Sequence, residues 1–399
     1  MNPLLIFWYT PIAYTALTAL GRIAYRWRKR RLGRRGPVSK IIFQIPTIGN
    51  VEETNTIIET VRSYNLPVPV EAWVIIDEQN YRPSMRFNCD RLVIVPKDFK
   101  TACMYKSRSL EYARRLRIAE NGDDYIVIQA DDDSTPSREF MLEALEVDAD
   151  VMIGTITPRP IGHLVADYER PVACAMTCLP STNLGFPIWG HGEGMVISAR
   201  ADRLISYEPP QGRPLISSED LFYLHRAAYN SLAEDQYYVQ EAKKRRLKVF
   251  ASDKRVYITP PLSARDAIRQ RRRWLWGHIR LIRNRMLPLR SLALVAFAEF
   301  SGLSVYATAT TLGVLVPLGL VSLSWYEQLL AYVSLALWFG FRGYSIGKAM
   351  GWRQALRGAL LSFVTVTLNF VYHVIGLILG DPRRFEVIKK YVPKGSNMT

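Results

Sequence analysis

Cysteine is scarce in this chain: there are four in 399 residues, Cys89, Cys103, Cys174 and Cys178. They are too few and too scattered for the disulfide framework of a small secreted domain. The one close pair, Cys174 and Cys178, lacks the C-x-x-C spacing and the second pair of a structural zinc site, so all four read as reduced core residues. Acidic residues are also in deficit, 36 against 52 lysines and arginines, and the resulting charge of +16 suggests nucleic acid, an anionic membrane surface or a phosphorylated substrate as partner. No basic residue precedes the first apolar run, which argues against a cleaved signal peptide.

The position of the basic residues decides among these partners. Leu4 to Leu20 is nearly uncharged and is followed at once by Arg22, Arg26, Arg28, Lys29, Arg30 and Arg31. The positive-inside rule predicts a membrane helix whose C-terminal end faces the cytoplasm. Leu292 to Leu323, Leu329 to Gly347 and Ala355 to Gly380 are each long enough to cross a bilayer as well, although Gly302 and Pro317 bend or end the first. The expectation is a multi-pass protein of the cell membrane, with four spans around one cytoplasmic block, roughly Lys40 to Leu287. Arg342, Lys348, Arg353 and Arg357 agree with that orientation. The tail with Arg383, Arg384, Lys389 and Lys390 falls outside on this count, so either Ala355 to Gly380 re-enters without crossing or the tail is tolerated there. Because the charges flank apolar segments, membrane lipids are expected partners and nucleic acid is not.

The soluble block alternates strand and helix signals. Ile41 to Ile45, Ala72 to Ile76, Leu92 to Val95 and Tyr125 to Ile128 are β-branched runs, with helical periodicity over Glu52 to Tyr64 and Ser107 to Ala119. This order predicts an α/β fold with a mostly parallel sheet, whose ligands bind beyond the carboxyl ends of the strands. Two strand ends are acidic. One carries Asp77, and the other ends in Asp131, Asp132 and Asp133 within "YIVIQADDDSTPS". Adjacent carboxylates stay together in a compact protein only where water or a cation offsets their repulsion. A hard divalent ion such as Mg2+ or Mn2+ takes carboxylate oxygens and bridges them to a diphosphate, so Asp131 and Asp133 are the candidate metal and donor residues. A turn of acids capping the next helix, near Ser137, is the structural alternative.

The order of "IPT" (Ile45, Pro46, Thr47), the acidic strand ends, "KSRSLEYA", "DDDSTP", an "ED" pair and "QRRRW" resembles the inverting family 2 glycosyltransferases with a GT-A, Rossmann-like fold. It is similar in particular to the membrane-embedded branch that includes cellulose and hyaluronan synthases. The resemblance implies that Asp77 meets the base of the donor nucleotide, that Lys106 lies near its phosphates, and that Gln270 and Arg273 reach the diphosphate. It also places Trp274, His191, Glu193 and Glu234 on the acceptor side. Arginine suits phosphate through its bidentate fork, and an indole offers a flat face to a sugar ring. Gln270, Arg273 and Trp274 fall on an amphipathic helix, with Ile268, Leu275, Ile279, Ile282 and Met286 on one face and Arg265, Arg269, Arg272, Arg280 and Arg283 elsewhere.

The catalytic base must take a proton from an acceptor hydroxyl. Glu219-Asp220 and Glu234-Asp235 compete for the part, and Asp235 fits better. A helix-like stretch, the strands Leu247 to Ala251 and Arg255 to Thr259, and "QRRRW" follow it in the family's order. The chain then divides into a membrane helix with its basic flank (1–36), a GT-A catalytic domain (37–263), the amphipathic helix (264–290), about three C-terminal spans (291–380) and a basic tail (381–399). It has few spans for a polymer channel, and it looks like archaeal membrane mannosyltransferases of reduced cellulose-synthase-like architecture. The expected reaction moves a sugar, mannose from GDP-mannose as the best choice, onto a lipid-linked glycan acceptor with a β-linkage. A processive synthase using a UDP-sugar and a non-catalytic membrane scaffold are the alternatives.

Overall fold

The computed structural model describes residues 4–160, 163–208, 233–283 and 289–382. Glu219, Asp220, Met286 and the basic tail from Arg383 lie outside the described residues.

Helix α1 (Leu5–Leu32) leads into a mixed α/β body. The body continues through β1 (Lys40–Thr47), α2 (Val51–Arg62), β2 (Val70–Asp77), β3 (Arg91–Val95), α3 (Tyr105–Glu120), β4 (Tyr125–Gln129), β5 (Ser134–Pro136), α4 (Arg138–Glu146) and β6 (Val151–Pro158). Then come α5 (Leu164–Ala173), a π-helical turn (Cys174–Cys178), α6 (Leu179–Asn183), β7 (Met195–Ser198), α7 (Ala199–Leu204), α8 (Glu234–Lys244) and β8 (Val249–Ile258). The sheet order is β3-β2-β1-β4-β7-β6-β8-β5. The first four are parallel, so the ends of β2 and β4 open on one edge. Residues alternate between the two faces of a strand. Ile42, Ile75 and Val127 accordingly join one apolar layer, and Ile41, Phe43, Val74 and Ile128 the other.

The two strands expected at Leu247 to Ala251 and Arg255 to Thr259 are one strand, β8. It pairs with β6 at both ends, and the register slips between Ile153 and Thr155. A bulge absorbs Ser252, Asp253 and Lys254, which in the sequence look like a turn.

After β8 come α9 (Ala264–Arg283), α10 (Leu289–Thr310), α11 (Trp325–Met350), α12 (Trp352–Leu360) and α13 (Ser362–Ile378). Among the described residues α11 alone is by itself long and apolar enough to cross a bilayer, whereas α12 and α13 qualify only together and are bent by 67° at Leu361. Helix α1 does not meet that standard, and part of it has another task. Tyr14, Thr15, Thr18 and Gly21 are buried, and Tyr14 Oη lies 2.5 Å from Thr177 Oγ1 on the π turn. Gly21 is so close to Pro180 that a Cβ would sit 2.1 Å from the Pro180 Cβ. Buried polar groups need partners, and the π turn supplies them to the hydroxyls of Tyr14 and Thr18. The body is also fastened from the other side: buried Glu169 of α5 bonds Arg342 of α11 and Thr365 of α13.

Candidate active site

Long-range partners distinguish the three adjacent acids. Asp132 accepts hydrogen bonds from Thr47 Oγ1 at 2.8 Å and Asn50 Nδ2 at 2.7 Å, which fastens the β1–α2 loop to the turn. Ser137 caps α4 by accepting from the Phe140 N–H, so the acids are not that helix's cap. Asp133 is 6% exposed, within electrostatic reach of Arg159. Asp131 faces α3.

The first turn of α3 meets both acidic strand ends. Tyr105 has φ of +50°, uncommon for a bulky side chain, and it starts the helix immediately before Lys106. Lys106 Nζ lies 2.5 Å from Asp131 Oδ1 and 2.8 Å from Glu234 Oε1. Arg108 pairs with Asp77, to which Ser109 Oγ also donates at 3.1 Å. Burial alone would favour loss of the Lys106 proton, but Asp131, Glu234 and Asp235 outweigh it and hold the ammonium well above its ordinary pKa.

Asp235 occupies the first turn of α8. Its Oδ2 accepts from the Gly192 N–H at 2.9 Å and its Oδ1 from the Gln236 N–H at 2.7 Å. Burial first, then the charges of Glu234 and Glu193, raise its pKa to about 6 against the pull of Lys106 and the Gly192 N–H. A carboxylate tuned towards neutrality suits proton abstraction. The glycines of "GHGEG" permit this closeness. A Cβ on Gly190 would lie 2.4 Å from the Asp235 carbonyl oxygen, and one on Gly192 would lie 2.8 Å from Lys106 Nζ. Gly190→Ala must therefore move backbone, and it is expected to cost about 1–3 kcal/mol, the usual scale of overpacking. Thermal unfolding of the detergent-solubilised chain checks this, and an unchanged Tm would contradict the packing.

The acceptor-side candidates divide into two groups. Glu193 pairs with Arg170 at 2.5 Å, and the Arg170 guanidinium stands 4.3 Å from the Trp274 ring, which Arg271 approaches at 4.6 Å. Arg170 thus links Glu193 to Trp274. His191 turns away, with its Nε2 3.5 Å from Cys174 Sγ. Buried Gln270 accepts from Arg271 Nη1 at 3.0 Å, with Arg273 three residues further along α9.

Helix α9 packs along α13, with Gly376 against the Arg272 backbone. Two of the arginines expected away from its apolar face are engaged there. Arg272 donates to the carbonyls of Leu379 and Gly380, and Arg280 pairs with Asp381. The C-terminus of a helix carries unsatisfied carbonyls and partial negative charge, which draws these cations inward.

Sequence reading missed Arg170 and Gln129. Gln129 lies fully buried beneath the site, accepts from the Tyr207 hydroxyl at 3.0 Å and reaches the Gly192 carbonyl at 3.4 Å. The fully buried pair Arg117–Asp202 stands behind it, with Arg117 also bonded to Gln44. Neither residue belongs to a motif. A polar residue ending an otherwise apolar strand just before the acids was the only signal for Gln129.

The chain is similar to several known sugar transferases. A β-1,4-mannosyltransferase of Drosophila melanogaster is 20% identical over 324 residues, which cover 76% of this chain and 67% of the relative. Among solved structures, a mannosyltransferase from Pyrobaculum calidifontis in complex with GDP-Man and Mn2+ aligns with a TM-score of 0.44 at 16% identity, over 90% of this chain and 99% of that one. Glucosyl-3-phosphoglycerate synthase from Mycobacterium tuberculosis aligns with a TM-score of 0.33 at 13% identity, over 54% and 70%. The family model described as glycosyl transferase family group 2 matches residues 126–380, from β4 and its acids through α9 to the end of α13, and the chain belongs to that family.

Proposed function

We propose that this glycosyltransferase moves a sugar with inversion from a nucleotide sugar to a membrane lipid-linked glycan, using Asp235 as the base. The observation that carries the reading is the Lys106 bridge. It joins Asp131, on the donor side, to Glu234, next to a carboxylate whose pKa is about 6. The acceptor hydroxyl gives its proton to Asp235 as its oxygen bonds to the anomeric carbon, and the bond from that carbon to the diphosphate breaks with its electron pair leaving on phosphate.

The donor set at the end of β4 fits a hard divalent cation. Asp131 and Asp133 offer carboxylate oxygens, while Asp132 is held by Thr47 and Asn50. Mg2+ or Mn2+ held there would neutralise the diphosphate as it leaves. Lys106, Gln270 and Arg273 are assigned to the donor phosphates and Asp77, steadied by Arg108, to the nucleotide base. Glu193, Glu234 and Trp274 are assigned to the acceptor. The Drosophila relative supports mannose as the sugar.

A membrane location is supported by exposed apolar side chains on the outer helices, among them Leu20, Leu303, Leu329, Tyr332, Val364 and Ile378. We assign residues 37–263 to the cytoplasm, where nucleotide sugars are made, with α1 and the helices after residue 291 in the cell membrane. A cysteine placed near Arg31 in a chain without its native cysteines should be shielded from an impermeant thiol reagent in intact cells; labelling there would reverse the topology. A donor screen on purified protein tests the function. GDP release from GDP-mannose in the presence of a lipid-linked glycan supports it, and no nucleoside diphosphate release from any nucleotide sugar would overturn it.

A further inference from the structure

A second cluster lies behind the site, on chemistry that the transfer reaction does not use. The π-helical turn carries Cys174 and Cys178, and the folded chain brings His191 against them from the glycine-rich segment. The three are 1%, 3% and 5% exposed. Their ligand atoms, two sulfurs and one imidazole nitrogen, all lie within 4.8 Å of one another. π-Helical turns within α-helices are uncommon and concentrate at functional sites.

We propose that Cys174, Cys178 and His191 bind one Zn2+ ion, separate from the cation of the donor site. The geometry supports this. Zinc bonds of about 2.3 Å to sulfur and about 2.0–2.1 Å to nitrogen at tetrahedral angles give a sulfur-to-nitrogen edge of about 3.6 Å. The Cys174 Sγ to His191 Nε2 separation is 3.5 Å. Two thiolates and an imidazole are soft to borderline donors that select zinc and reject Mg2+ or Mn2+, the reverse of the carboxylate pair at Asp131 and Asp133. Three protein ligands leave the fourth position of a tetrahedral ion to an exchangeable donor.

Charge agrees with this assignment. Two thiolates and one Zn2+ sum to zero, so the ion adds no net repulsion against Arg170, whose own charge is met by Glu193. The consequence is positional. Binding at His191 ties the Gly190–Gly194 segment to the helical rod of α5 and α6, and the Gly192 N–H in that segment holds Asp235. That last link rests on the function proposed above, whereas the metal site itself does not.

Co2+ titration of the full chain, purified in detergent without a polyhistidine tag, stripped of metal and kept reduced, tests the proposal. One equivalent of Co2+ should produce a thiolate-to-cobalt charge-transfer band in the near ultraviolet, and one equivalent of Zn2+ should abolish it. Cys174→Ser and Cys178→Ser should each lose that band. Cys89→Ser should keep it, which controls for adventitious thiol binding. Absence of a thiolate band in the wild-type chain, with all four thiols counted as reduced, would overturn the site without depending on any variant. So would a band that survives both Cys174→Ser and Cys178→Ser. Neither readout involves sugar transfer, so failure here and failure of the proposed function are distinguishable.

Discussion

Asp235→Asn is expected to lower turnover by about a hundred- to ten-thousand-fold, the usual contribution of a general base, while the nucleotide sugar still binds with near-normal affinity. The amide keeps the size of the side chain but cannot accept the acceptor's proton. Wild-type turnover should also depend on pH in a defined direction. Because burial and the neighbouring carboxylates raise the Asp235 pKa to about 6, the ionised, active form is lost as pH falls through about 6 and is fully present above it. The rate should therefore rise through that range and level off above it, and Asp235→Asn should remove the step. Asp220→Asn should be milder. An active Asp235→Asn protein beside a dead but donor-binding Asp220→Asn protein would move the base to the other acidic pair.

Removal of the divalent cation should have an effect of similar size, at a different stage. With EDTA, or in Asp133→Ala, donor binding should weaken by roughly a hundredfold or more, which corresponds to about 3 kcal/mol or more. Two carboxylates repel a diphosphate unless a cation stands between them. Calorimetry with the nucleotide sugar distinguishes this from loss of the base, since Asp235→Asn spares binding and EDTA does not. Tight nucleotide binding unchanged in EDTA would refute the metal assignment.

The parallel strands β1 to β4 were legible because they are short runs of Ile and Val whose burial leaves little room for another conformation. The edge where Asp77 and the triple acid emerge followed from the same pattern. Strands β5, β6 and β7 were not read, and the antiparallel pairings of β7 with β4 and β6, and of β5 with β8, make the sheet mixed rather than mostly parallel. What escaped depended on contacts distant in sequence. Asp131 and Asp133 were singled out in the sequence, but the partners that hold Asp132 between them, Thr47 and Asn50, lie more than eighty residues away. Ser252 to Lys254 reads as a turn between two strands, yet β6 continues past it and makes it a bulge. Leu4 to Leu20 reads as a membrane span by charge and hydropathy, and the packing of Tyr14, Thr18 and Gly21 on the helices around Cys174 and Pro180 is announced by no local pattern. The resemblance places His191 on the acceptor side, and no local pattern announces that its ring lies against a cysteine 17 residues earlier.

Inverting transfer in a single displacement is the centre of this account, and the stereochemistry of the product tests it most directly. With the donor identified by the screen, the anomeric configuration of the transferred sugar can be read by proton NMR before any further processing. An α-linked nucleotide sugar should give a β-linked product, as one attack on the face opposite the leaving diphosphate requires. An α-linked product would mean retention, which a single base at Asp235 cannot provide, and would contradict the proposed mechanism.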